Sequence, residues 1–276
     1  MLLDISQISL IRQEETGSGK MYFMEKFFRN GKGLLLAYDQ GFEHGPSDFN
    51  AKNVDPKYIL DIAKESGVFT GVIFQKGIAE KYYSENSGLP PLIVKLNGKT
   101  GLHAGEEPFA PLLCTVDEAL GLGASAVGYT VYVGSEREAE MTETFGKIVR
   151  ECNQKKIPTI GWFYLRGKQI ANPHDPEKLA YAARLALELG ADGVKLQFAI
   201  SGNEANDLKN LKWIVQNAGK CKVFISGGSK IPDDQLLQLA KVVKAAGAAG
   251  MAVGRNIWQR DNPIEFAKQI ADILYS

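Results

Sequence analysis

From Gly33 onward the chain alternates between two patterns. Short apolar runs bounded by turn residues give way to segments whose apolar positions recur every three or four residues. The first pattern reads as buried strand and the second as amphipathic helix. The strand candidates are residues 34–38, 71–74, 92–95, 126–130, 159–163, 193–197, 222–226 and 250–254. The segments between them carry helix starts. Thr115 with Glu118, and Ser135 with Glu138, have the capping-box spacing. Asp175 precedes Pro176, a cap residue followed by a proline that cannot miss its amide. In the helix that follows, Leu179, Ala182, Ala183, Ala186 and Leu189 share a face, and Gly190 stops it. Further helices open at residues 232–234 and at Pro263.

Eight apolar strands, each followed by helical sequence, predict a parallel closed sheet: an α/β fold, one (β/α)8 TIM barrel. An open doubly wound sheet is the alternative. It would carry a glycine-rich turn after the first strand, and residues 37–41 do not match one. Residues 1–32 form an N-terminal helical extension, with candidate helices at 5–12 and 20–28 separated by Gly17, Ser18 and Gly19. The second is heavily apolar and fits a cap on the barrel bottom or a subunit contact. Residues 33–276 are the barrel domain.

Composition narrows the function. Of 276 residues 45% are hydrophobic, and 32 Lys+Arg balance 32 Asp+Glu. No general affinity for nucleic acid or membrane follows, so an anion site must be local. Cys114, Cys152 and Cys221 have neither disulfide-framework nor zinc spacing, and a reducing compartment is expected. No apolar run reaches the ~18 residues of a membrane span, and no signal peptide is visible. The expected location is the cytoplasm.

Chemistry in this fold sits at the C-terminal strand ends. Those ends carry Asp39, then Gln75 and Lys76, Lys95, Trp162 and Tyr164, Lys195 and Gln197. Strand seven runs into Ser226, Gly227, Gly228, Ser229 and Lys230, and strand eight into Gly254, Arg255 and Asn256. Glycines after strands seven and eight free backbone amides where barrels bind phosphate, and Lys230 and Arg255 add charge. The ligand is then a phosphorylated small molecule. A lysine on strand six, just before this pair of loops, fits an imine-forming enzyme. At the reference pKa only about one lysine amine in 2,500 is neutral at pH 7. Burial and neighbouring cations raise that fraction, while Asp39 opposes them. Lys95 is a rival for the imine, and spacing alone favours Lys195 only modestly. Tyr164 is a candidate proton-transfer group and Trp162 a candidate substrate contact. Arg166 and Lys168 are candidates for a second phosphate. His44 and His103 lack metal-site spacing, although Asp39, Glu43 and His44 form a weak possible set. There is no serine-nucleophile turn.

These segments resemble a known family. Residues 37–49, 161–167, 193–195, 226–230 and 252–259 are similar, in order and spacing, to the motifs of archaeal-type class I fructose-bisphosphate aldolases, the DhnA or DeoC/LacD-related group. The resemblance runs from about Gly33 to the end. It implies Lys195 as the Schiff-base lysine, Tyr164 as the proton-transfer residue and Asp39 as a carboxylate acting on substrate hydroxyls. It implies that Trp162 contacts substrate. It also implies that Ser226, Gly227, Gly228, Gly254 and Arg255 hold the ketose C1 phosphate, with Lys230 close by. No cofactor and no metal are implied. Leu165 and Ser229 stand where relatives often have proline, which bears on loop geometry rather than chemistry. The family's habit implies a homo-oligomer, up to a decamer. The expected reaction is reversible cleavage of fructose 1,6-bisphosphate into dihydroxyacetone phosphate and glyceraldehyde 3-phosphate. Two alternatives stay open. One is a same-family transaldolase making a 2-amino-3,7-dideoxy-heptulosonate-type product. The other is a non-catalytic sugar-phosphate-binding barrel.

Overall fold

The computed structural model describes residue 20 and residues 24–83, 88–103 and 105–276. Its eight strands close in sequence order, and every pair is parallel. They are β1 (Gly33–Ala37), β2 (Gly71–Gln75), β3 (Leu92–Lys95), β4 (Ala126–Val133), β5 (Thr159–Leu165), β6 (Gly193–Leu196), β7 (Lys222–Ser226) and β8 (Gly250–Val253). The helices between and after them are α1 (Pro56–Ser66), α2 (Lys76–Ile78, running on into a π-helical turn at Ala79–Tyr83), α3 (Val116–Gly121), α4 (Glu138–Lys155), α5 (Pro176–Glu188), α6 (Glu204–Ala218), α7 (Asp233–Ala245) and α8 (Pro263–Tyr275). This is the TIM barrel that the alternation predicts. No helix among the described residues is long and apolar enough to cross a membrane.

The caps mostly follow the sequence logic. Thr115 and Glu118 form a reciprocal capping box on α3, and the Asp175 carboxylate accepts from the Lys178 amide ahead of α5. The expected box at Ser135 and Glu138 does not form. Ser135 Oγ instead accepts from the Arg137 amide and donates to Pro108 O, while Glu138 reaches back to the Gly134 amide. Both side chains serve the turn between β4 and α4, and the helix starts at Glu138. The candidate helix at 5–12 lies outside the described residues. Of the second piece, Met24 and Phe27 are buried in the cluster that fills the barrel interior.

Strand side chains alternate between the helix layer and the barrel interior. Leu35, Ile73, Ile93, Ala126, Ile160, Phe224 and Ala252 point inward and form the lower interior. Trp162 lies above them. Its ring crosses Gly128 so closely that a Cβ there would come within 2.0 Å of it. Register then aligns the inward positions across strands: Thr130 with Trp162, Trp162 with Lys195, and Lys195 with Phe224. One step further toward the C-terminal ends, the interior becomes polar. β4 and β5 run longer than predicted, staying paired through Tyr132 with Tyr164 and Val133 with Leu165. That extension raises both tyrosines to the mouth.

Candidate active site

The polar mouth encloses a cavity of about 240 Å³. Asp39, Tyr164, Lys195, Ser226, Gly227, Gly228, Gly254 and Arg255 line it, so strand ends distant in sequence converge as the strand-end argument predicts. Two predicted contacts do not reach it. Trp162 is 1% exposed and lies under Lys195, its ring centroid 5.2 Å from the amine. It is in register with Lys195, whose long side chain rises over the indole ring, so it forms the floor beneath the amine. Lys230 turns outward after the positive-φ Gly228, and its ammonium donates to Gln259 O on the exposed side of the loop.

Lys195 is 5% exposed, and among the described residues no carboxylate lies within ion-pair distance of it. Burial, which penalises the charged form, lowers its pKa most. Asp39 opposes, but Lys95 and Arg255 add to the fall, leaving the amine at about 8 against 10.5. Roughly a tenth of the lysine is then neutral at pH 7. Asp39 does not clamp Lys195 because Lys95 occupies it: Lys95 Nζ sits 3.3 Å from Asp39 Oδ2, both residues being buried. Burial by itself pushes the Asp39 carboxyl up. Lys95 and then Lys195 outweigh that, and the net lies below the usual carboxylate value. The site is an ionised acid between two lysines, one paired to it and the other, Lys195, with its pKa lowered.

Tyr164 stands near the end of β5, partly buried at the cavity wall. Burial first, then Asp39, Glu43 and Tyr132, push its pKa well above the ordinary phenol value, against Arg166. It is therefore a neutral phenol at working pH, able to donate a proton or relay one but not to start as a phenolate. Beside it Tyr132 donates to Glu43, 3.3 Å from Oε1, and burial and that carboxylate raise Tyr132 too. Arg166 donates through Nη2 to Gln197 Oε1 at 3.1 Å, joining the ends of the adjacent strands β5 and β6.

The loops after β7 and β8 are tied together by one buried asparagine. Asn256 Nδ2 donates to Gly227 O at 2.8 Å and to Ser229 O at 2.9 Å, and its Oδ1 accepts from the Ile231 amide at 3.0 Å. It ties the β7 loop to the β8 loop. A Cβ on Gly227 would meet the asparagine amide at 2.8 Å, and one on Gly254 would meet Ala37 O at 2.5 Å. Glycine at 227 lets the β7 and β8 loops approach this closely, and glycine at 254 lets the β8 loop pass the end of β1. Among the described residues no group of three or more His, Cys, Asp or Glu is placed to hold a metal ion.

Sequence reasoning assigned no role at the mouth to Tyr132, Gln40 or Ser229, and treated Lys95 only as a rival nucleophile. The signal for Tyr132 was present: the run Val131, Tyr132, Val133 continues β4 on strand parity.

A buried amine with a depressed pKa, a neutral phenol and an ionised carboxylate beside two glycine-lined loops define a class: a lysine-bearing (β/α)8 barrel equipped for imine chemistry. Within that class, the chain belongs to the DeoC/LacD family aldolases, whose model matches residues 34–260. It is 48% identical over 256 residues to fructose-bisphosphate aldolase class 1 of Thermoproteus tenax, covering 92% of this chain and 93% of that one. It is 42% identical over 249 residues to fructose-bisphosphate aldolase class 1 of Halobacterium salinarum, covering 90% and 92%. Among solved structures it is similar to an archaeal fructose-1,6-bisphosphate aldolase with its catalytic lysine covalently bound to the carbinolamine intermediate of the substrate. The TM-score is 0.86 and the identity 46%, covering 94% of this chain and 100% of the other.

Proposed function

We propose that this chain is a Schiff-base-forming class I fructose-bisphosphate aldolase, a metal-independent lyase that cleaves fructose 1,6-bisphosphate reversibly to dihydroxyacetone phosphate and glyceraldehyde 3-phosphate. The observation that carries the reading is the Lys195 amine, buried, depressed to about 8 and, among the described residues, without a carboxylate at ion-pair distance, in the cavity at the barrel mouth. The likeness to class 1 aldolases over nine-tenths of the chain supports it.

In this reading Ser226, Gly227, Gly228, Gly254 and Arg255 hold the C1 phosphate. Neutral Lys195 adds to the C2 carbonyl, and the carbinolamine loses water to give a protonated imine. That cation withdraws the electrons of the C3–C4 bond as the C4 hydroxyl loses its proton, and glyceraldehyde 3-phosphate leaves. The enamine takes a proton at C3 with Tyr164 as donor or relay, and water releases dihydroxyacetone phosphate. Ionised Asp39 accepts hydrogen bonds from substrate hydroxyls. A protonated imine also restores, at Lys195, the positive charge that burial disfavoured in the free enzyme, now beside Asp39.

The test is a coupled assay of fructose 1,6-bisphosphate cleavage with excess chelator, on wild type and Lys195→Met. Chelator-insensitive turnover that the substitution abolishes supports the reading. Phosphate-ester binding without turnover would establish the non-catalytic barrel instead, and transfer without cleavage the transaldolase. The three cysteines, all free and buried, fit a reducing cytoplasm. The assembly is read as a homo-oligomer, up to a decamer. Light scattering checks this, and a monomeric mass at micromolar concentration would refute it.

A further inference from the structure

Arg255 lines the cavity and opens the short helical turn after β8 (Arg255–Trp258), yet its guanidinium is engaged on one side by a carboxylate. Nη1 lies 3.3 Å from Asp48 Oδ2 and 3.5 Å from Oδ1. His44 Nδ1 lies between the two, 2.6 Å from Asp48 Oδ2 and 3.2 Å from Arg255 Nη1, and in the tautomer with its hydrogen on Nδ1 it donates to the carboxylate. Among the described residues every hydrogen bond of the guanidinium uses Nη1. The edge formed by Nε–H and Nη2–H, the pair suited to a two-point grip on a phosphate, is left open.

An acid at the rim of an anion site repels its ligand unless something neutralises it. Among the described residues the Asp48 carboxylate bonds only to His44 and Arg255. The Asp48 main chain is fixed against the β8 loop. Gln259 Nε2 donates to Asp48 O at 2.8 Å, and the Phe49 ring packs on Trp258 with centroids 5.8 Å apart. The carboxylate is thus a rigid point on the β1 loop from which a flexible side chain on the β8 loop is held.

We infer that Asp48 is a positioning residue for phosphate recognition: it anchors Arg255 by Nη1 so that the Nε and Nη2 edge faces the substrate phosphate, with His44 fixing the carboxylate in turn. This rests on the reading that Arg255 holds a substrate phosphate. Without the anchor the arginine must be ordered by the ligand, and that ordering cost falls on binding of phosphorylated substrate. It does not fall on the amine chemistry.

The experiment is a double-mutant cycle of D48N and R255M, read as the inhibition constant of inorganic phosphate and as KM and kcat for fructose 1,6-bisphosphate. D48N is expected to weaken phosphate by about fivefold to tenfold, the worth of one oriented charge-assisted bond, with the loss on KM rather than kcat. On the R255M background D48N is expected to change phosphate binding by less than about twofold, because its effect passes through the arginine. D48E, which keeps the charge, should bind phosphate more tightly than D48N. Equal losses from D48N in both backgrounds would mean a role in loop structure and overturn the inference. Unchanged phosphate binding in D48N, where R255M is weakened, would overturn it while leaving the aldolase reading intact. Unchanged phosphate binding in R255M would remove Arg255 from the phosphate and the inference with it, whatever the cleavage assay shows.

Discussion

At the scale of single residues, Lys195 sets function against stability. Its pKa is lowered in the folded chain from 10.5 to about 8. Below pH 8 both states hold the proton and the folded state bears the whole cost of burying it. Between 8 and 10.5 the unfolded chain binds more protons, so stability rises with pH. Lys195→Met is therefore expected to be inactive and more stable than wild type at pH 7, by about 3 kcal/mol at most. The difference should shrink as pH rises through 8 toward 10.5. Denaturant unfolding at several pH values measures it, and a less stable variant at pH 7 would contradict the cost assigned to the buried ammonium. Activity should follow the neutral amine, with kcat/KM rising about tenfold per pH unit below 8. The neighbours move that limb in opposite directions. Lys95→Met removes a like charge and frees Asp39 to face Lys195, so the acid limb shifts to higher pH. Asp39→Asn removes the carboxylate that opposes the fall and shifts the limb lower. The pH profile of the borohydride trapping rate reads both, and two shifts of the same sign would refute the arrangement.

Elements decide how high in the barrel each side chain stands. Strand parity made the inward set legible: Asp39, Lys95, Tyr164, Lys195 and Ser226 are all at the mouth. Parity does not say which layer an inward residue occupies. Trp162 and Tyr164 share a face two residues apart, yet one is floor and the other rim. The Lys195 side chain, in register with Trp162, covers the indole, whereas Tyr164 pairs with Tyr132 two residues nearer the C-terminal end and faces the cavity. Lys230 was misplaced for another reason. A loop's composition shows that it turns but not where its last side chain points. Two predictions belong here. Gly128→Ala places a methyl group within 2.0 Å of the Trp162 ring and should destabilise the fold, by about 1–3 kcal/mol or more as overpacking. Adding Trp162→Leu should recover much of that loss in a thermal melt, and no recovery would mean that the contact is not the cause. Asn256→Ala leaves the Gly227 and Ser229 carbonyls without their donor, at about 1–3 kcal/mol for each unsatisfied group. It should raise the KM for phosphorylated substrate. An unchanged KM would remove Asn256 from any part in binding.

For the molecule as a whole, chemistry and stability occupy opposite ends of one barrel. The fold was legible because eight apolar runs and their glycine and cap punctuation agree at every level. What the sequence left open was how the lower end is filled. Phe27 is fully buried there, against the points where Gly33 and Gly71 leave room for it. Phe27→Ala should cost about 3–5 kcal/mol of stability without altering the KM of the folded enzyme, because it lies beneath the apolar layer rather than at the mouth.

The central claim is that one particular lysine becomes covalently linked to substrate. Borohydride reduction in the presence of dihydroxyacetone phosphate, followed by tryptic digestion and peptide mass analysis, tests it directly. A reduced adduct blocks cleavage at its own lysine. The account predicts a modified peptide spanning residues 185–209, with Lys195 uncut. An adduct on the peptide spanning residues 82–99, with Lys95 uncut, or no adduct at all, would contradict it.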